Sequence, residues 1–152
     1  MHAGEYTPNN FTPVISAMNL YDYVDKITSN ANKFPEYSLN EKKAGEDVIR
    51  ILYMHQDSLV NRVREQAYQI HMLLWTANEI NVRKEPDRKP ERLYKQLRAI
   101  ELCDEHLAAI QLCRKRFHLT NKRIRYWGKM TLKVRDAAKA WHKSDVARYK
   151  DI

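Results

Sequence analysis

A chain of 152 residues carrying a formal charge of +8 is one domain's worth of sequence, long enough to bury an ordinary core. Residues 1–76 hold seven Lys/Arg against nine Asp/Glu, whereas residues 77–152 hold twenty against ten; a one-signed field over half a small protein gathers polyanions, so nucleic acid is the leading expected partner and an anionic membrane surface the second. No run of eighteen apolar residues occurs and MHAGEYTPNNFTP has neither a basic nor an apolar leader pattern, so no membrane segment or signal peptide is expected and the protein reads as cytoplasmic.

Residues 1–13 read as a flexible N-terminal segment. After Pro13 the spacing of Val14, Met18, Tyr21, Val24, Ile27 and Ala31 predicts a helix to about residue 33, closed by Phe34-Pro35 because the residue before a proline avoids the helical region. From residue 40 the series Ala44, Val48, Ile51, Leu52, His55, Leu59, Val63, Ala67, Ile70, Leu74, Ala77, Ile80 continues without a proline. That pattern, over residues 40–84 at most, is one very long helix or two with a soft joint near Asp57-Ser58.

VRKEPDRKPER is the one clear polar connector. Pro90 and Glu91 suit a first helical turn, the proline because no donor is needed there and the acid because it faces the dipole. The helix that follows should bury Leu93, Leu97, Ile100, Cys103, Leu107, Ile110 and Phe117. Leu119-Thr120-Asn121 then supplies a turn and an N-cap into a last helix with Ile124, Trp127, Met130, Thr131, Val134, Ala138 and Trp141 on its core face. The fold class is all-α: an antiparallel four-helix bundle over residues 14–145, with 146–152 as a C-terminal tail.

Catalytic and metal motifs are sparse. Glycine occurs only at Gly4, Gly45 and Gly128, so there is no GxxxxGK, GxGxxG or GxSxG, and nucleotide hydrolysis and esterase chemistry lack their usual supports. Glu-x-x-His, the pair that carboxylate-bridged di-iron bundles use, is absent, and no cofactor is expected. Cys103 and Cys113 stand ten residues apart in one helical pattern, about 15 Å at 1.5 Å per residue, too far to bridge. Cys103 and His106 could form half a zinc site, but Cys113 and His118 lie too far along to complete it, so the expected reading is a buried thiol beside a helix-surface imidazole, with no metal. Arg-x(4–6)-His occurs as Arg50/His55, Arg64/His71 and Arg135/His142. The spacing resembles the active-site signature of HEPN ribonucleases, which keeps an RNA-cleaving enzyme as an alternative; an inert bundle whose charge serves solubility is another.

The densest signal is CRKRFHLTNKRIRYWGK. From His106 to Arg135 there are nine Lys/Arg and no Asp or Glu, whereas a merely solvated helix face mixes signs. Cations at roughly one-turn spacing displace condensed counterions and bind phosphate chains without reading sequence. On a helical wheel Lys122, Arg125, Lys129, Lys133, Lys139 and Lys143 gather opposite the tryptophans. Trp127 and Phe117 belong to core faces, leaving Tyr126 and His118 as the rings able to stack on bases.

From Leu59 onward the segments LVNRVREQAYQIHMLLWTANEI, LYKQLRAIELCDEHLAAIQLCRKRFHLTNKRIRYWGKM and VRDAAKAW resemble the accessory variability determinant (Avd) proteins of diversity-generating retroelements, four-helix relatives of the 23S rRNA intervening-sequence proteins. The resemblance implies a basic, ring-like homo-oligomer, a pentamer, that partners a reverse transcriptase and its template RNA or RNA/DNA hybrid in mutagenic retrohoming, without catalysis of its own. The positions carried over as polyanion contacts are Arg114, Lys115, Arg116, Lys122, Arg123, Arg125, Lys129 and Lys133.

Overall fold

The computed structural model describes residues 10–28 and 58–152. Within them lie four helices, α1 (Thr12–Thr28), α2 (Ser58–Glu79), α3 (Lys89–Phe117) and α4 (Asn121–Arg148), one 3-10 turn (Pro86–Arg88) and no strand. Each helix packs mainly on two others: α1 on α2 and α4, and α3 on α2 and α4. No helix among the described residues is long and apolar enough to cross a membrane. The part of the expected second helix from Ala44 to His55, the pair Arg50/His55, and Ala31 with the Phe34-Pro35 stop all lie outside the described residues.

Local chemistry explains most helix ends. Pro13 sits in the first turn of α1, where its missing N–H costs nothing. After α2, the Asn81 side chain accepts from the backbone N–H of Arg83 and Lys84 at 3.1 and 3.2 Å, a local turn that competes with helix. Pro90 lies in the first turn of α3, with Glu91 near the positive end of its dipole. Two hydrogen bonds from Arg88, with another from Lys95, hold the Glu91 carboxyl down at about 2. α3 ends on His118 in the left-handed conformation, φ 52°, the usual geometry of a helix stop though more often taken by glycine. Thr120 caps α4, its Oγ1 accepting from Arg123 N at 3.2 Å.

The core corrects three expectations. On α1 the buried face is Val14, Ala17, Leu20, Val24 and Ile27, while Met18 is 40% exposed and Tyr21 only flanks the core. On α3 the buried face is turned from the expected one to Arg92, Gln96, Ala99, Leu102, Cys103, His106, Ala109, Ile110, Cys113 and Phe117. Leu97 is exposed, and Leu93, Ile100 and Leu107 are only partly covered. A polar stripe can turn inward because each polar member finds a partner on a neighbouring helix. The third correction is His106, which is not a surface imidazole but fully buried. On α4 Trp127, Thr131, Val134, Ala138 and Trp141 are buried as the pattern predicts, with Ile124 and Met130 at the margin.

Two polar clusters cross the core. In one, Trp127 Nε1 donates to His106 Nε2 at 3.0 Å, and His106 Nδ1 lies 2.9 Å from Gln66 Oε1. An indole N–H only donates, so Nε2 accepts and Nδ1 carries the proton towards Gln66. Burial holds the imidazole neutral, its pKa lowered to about 4. In the other, Asp145 Oδ2 accepts from Arg92 Nε at 2.7 Å and Gln96 Nε2 at 2.6 Å, and Arg92 Nη1 donates to Ile80 O at 2.8 Å. The Arg92 guanidinium also lies 5.0 Å from the Trp141 ring centre. α4 continues three residues beyond 145, and Tyr149 is buried against Ile80 and Val82.

Candidate nucleic-acid interface

The surface singled out by sequence is built where α3 stops and α4 starts. Arg114, Lys115 and Arg116 fill the last turns of α3 and are exposed, a favourable place for cations because the dipole is negative there. The chain then reverses through His118, buried Leu119 and Thr120. Lys122, Arg125, Lys129 and Lys133 follow along α4, all exposed. Among the described residues no carboxylate pairs with Arg114, Lys115, Lys122, Arg125, Lys129 or Lys133.

The start of α4 breaks an ordinary rule. A helix N-terminus carries partial positive charge and favours acids, yet the first turn of α4 has no acid and holds Lys122 and Arg123 instead. Each misplaced cation there costs on the order of 0.3–1 kcal/mol. Sequences break local rules of this kind mainly at functional sites.

Arg123 stands apart from the other seven positions. It is half-buried, its Nη1 donates to Tyr23 Oη on α1 at 3.1 Å, and its guanidinium lies 6.0 Å from the Tyr23 ring centre. Burial raises the Tyr23 phenol above its ordinary range, an effect that the Arg123 charge partly offsets. The fold also brings in Arg62 of α2, which no sequence pattern ties to the basic stretch: with Lys115, Arg116, Leu59, Leu112 and Glu105 it lines an open cleft of ≈ 780 Å³ between α2 and α3. A distance of about fifty residues along the chain left no signal by which to find it.

Residues of the other candidate constellations make contacts of their own among the described residues. Arg135 Nε stands 2.7 Å from Asp104 Oδ1 on α3, and Arg64 pairs with Asp25 Oδ1 at 2.7 Å and Thr28 Oγ1 at 2.7 Å on α1. His71 packs edge-on against Trp75 at 6.0 Å, and burial lowers its pKa. Cys103 and Cys113 are both buried and form no disulfide, with burial pushing the Cys103 thiol up to about 12, a protonated, unreactive state. Among the described residues no three His, Cys, Asp or Glu side chains come together to hold a metal ion. Comparison with protein-family models, curated proteins and solved structures finds no match to the chain.

Proposed function

We propose that this protein is a nucleic-acid-binding accessory of a reverse transcriptase, engaging template RNA or an RNA/DNA hybrid through the α3–α4 turn and the exposed face of α4. The observation that carries the reading is the acid-free cationic surface from Arg114 to Lys133. Within it Arg114, Lys115, Lys122, Arg125, Lys129 and Lys133 pair with no described carboxylate, and cations occupy a helix N-terminus at an electrostatic cost. Phosphates would displace counterions from these side chains and supply affinity without base readout. In this reading the protein has no catalytic residue; the chemistry belongs to the polymerase, and the protein acts in the cytoplasm.

The polymerase partner and the assembly rest on the resemblance to the Avd proteins. The proposed arrangement is an antiparallel bundle assembled into a ring-like homopentamer. The cross-helix pairs support opposed directions for α3 and α4, since Arg92 meets Asp145 while His106 meets Trp127. A ring would multiply the basic surface and its avidity.

A gel-shift titration with a structured RNA at low and moderate salt tests the binding reading, with RNA integrity read in the same lanes. Tight, salt-sensitive binding to intact RNA is the expected result. Replacing Lys122, Arg125 and Lys129 together by alanine should weaken binding across unrelated sequences and flatten the salt dependence, by roughly one unit of slope per lost phosphate contact. Unchanged affinity in that triple variant overturns the assignment of the surface, and cleaved RNA replaces the accessory by a ribonuclease. Light scattering on the purified chain reads whether the assembled mass is that of a pentamer.

A further inference from the structure

The last helix interleaves an aromatic ring with its cations. Lys122, Tyr126, Lys129 and Lys133 follow at spacings of four, three and four residues, which sets them in one stripe along α4. All four are exposed, Tyr126 with 54% of its surface open. Tyr68 and Tyr94 are also exposed, but each has an acid one turn before it, Glu65 and Glu91 respectively. Tyr126 is the exposed tyrosine set in the acid-free stretch.

Its ring is braced as well as open. Tyr126 stands 5.0 Å from the Tyr23 ring, inclined at 60°. Tyr23 is fixed in turn by the hydrogen bond from Arg123 and by edge contact with Trp127 at 6.4 Å. Tyr126 therefore touches a held aromatic while more than half of its surface stays open to solvent, so little ordering entropy remains to be lost when a flat ligand docks. Lys122 and Lys129 flank it about 10 Å apart along the axis, at 1.5 Å per residue. Unpaired bases stack on such rings whatever their identity, and the phosphates on either side of a stacked base meet flanking cations. A duplex hides its base faces and can use only the cations.

We infer that Tyr126 is a stacking platform for an unpaired base, and that the polyanion this face selects is single-stranded nucleic acid. The inference rests on the basic-surface reading above and narrows it to a ligand class. Anisotropy titrations of the full chain against a short single strand, the same strand made abasic at its centre, and a duplex of matched length test it. The wild type should prefer the base-bearing strand over the abasic one on the order of tenfold or more, the scale of one base stacked on an aromatic ring. Tyr126→Ala should lose that preference while keeping its affinity for the abasic strand and the duplex, which also reports that it is folded. Tyr126→Trp should retain the preference. Equal wild-type affinity for the two single strands overturns the inference, as does a preference that survives in Tyr126→Ala. In either case the basic-surface reading stands if the Lys122, Arg125 and Lys129 triple variant loses all three probes; wild-type failure to bind any probe removes both.

Discussion

At the end of the bundle where α3 begins and α4 finishes, the cations of the first turns are tied down. Arg88 reaches Glu85 and Glu91 at 3.1 and 2.9 Å, Arg92 is buried on Asp145, and Lys89 Nζ donates to the carbonyls of Tyr149 and Ile152 at 2.7 and 3.1 Å. The first turn of α3 sets an acid, Glu91, beside Lys89 and Arg92, and a cation, Arg148, ends α4, so at this end each terminus has the charge its dipole favours among those present. At the opposite end Arg114, Lys115, Lys122 and Arg125 have no described carboxylate, and the α4 N-terminus holds cations against its dipole. One pair of helices thus commits Arg88, Lys89 and Arg92 to its own fold at one end and leaves Arg114, Lys115, Lys122 and Arg125 without a described carboxylate at the other. The number of cations alone would not separate the two ends; the acids beside them, and the pairing that follows, do.

The largest expected effect comes from breaking the tied end. Arg92→Ala leaves Asp145 buried without its cation, and removing one member of a buried pair costs on the order of 3–5 kcal/mol. Urea denaturation at neutral pH measures it, and a loss below about 1 kcal/mol would show that the pair contributes little. Replacing both partners by apolar residues, Arg92→Met with Asp145→Leu, should recover much of the loss, because the cost lies in the orphaned charge rather than in the missing attraction.

His106 gives the next largest effect, and it depends on pH. Its folded-state pKa of about 4 lies below the ordinary histidine value of 6.5, so the unfolded chain takes up a proton first as pH falls. The stability this histidine contributes is full above about pH 6.5 and is lost towards pH 4, by a few kcal/mol in all at roughly 1.4 kcal/mol for each pH unit between the two values. Protonation would also give Nε2 a hydrogen that faces the Trp127 N–H. An NMR titration of the His106 ring in the folded protein should show no protonation above about pH 5; a midpoint near 6.5 would mean that the Gln66–His106–Trp127 chain is open to water.

Helix existence was legible in this sequence because proline, glycine and apolar spacing agree. The connector at 82–92, the Thr120 cap and the inward face of α4 could be read residue by residue. The inward face of α3 could not, since a leucine-based stripe through Leu93 and Leu97 competes with a polar one through Arg92, Gln96 and His106, and the choice depends on Asp145, Gln66 and Trp127 far along the chain. The basic stretch was visible as composition. That Arg123 turns inward to Tyr23 while its neighbours stay outside, and that Arg62 joins the cleft beside Lys115, were set by packing between helices that no local pattern records.

A smaller change probes the turn that joins α3 to α4 at the basic end. Thr120→Ala removes the side chain that accepts from Arg123 N, and loss of such a cap costs about 1 kcal/mol. Thr120→Asn or Thr120→Ser should restore most of it in the same denaturation assay, whereas a silent Thr120→Ala would mean that the turn is held by Leu119 and its packing.

The smallest expected effect on stability is the one that sharpens the contrast most. Alanine at Lys122, Arg125 and Lys129 removes no described ion pair, relieves a cation from the α4 N-terminus, and puts a strong helix former at three exposed positions. Denaturation should therefore show the triple variant within about 0.5 kcal/mol of the wild type or slightly above it. Paired with a large fall in nucleic-acid affinity, that result would mean these charges are kept for a partner at no benefit to the fold. A loss of about 2 kcal/mol or more, the scale of a broken buried contact or a lost cap, would instead place them among the interactions that hold the bundle together, and the two ends of α3 and α4 would no longer differ in kind.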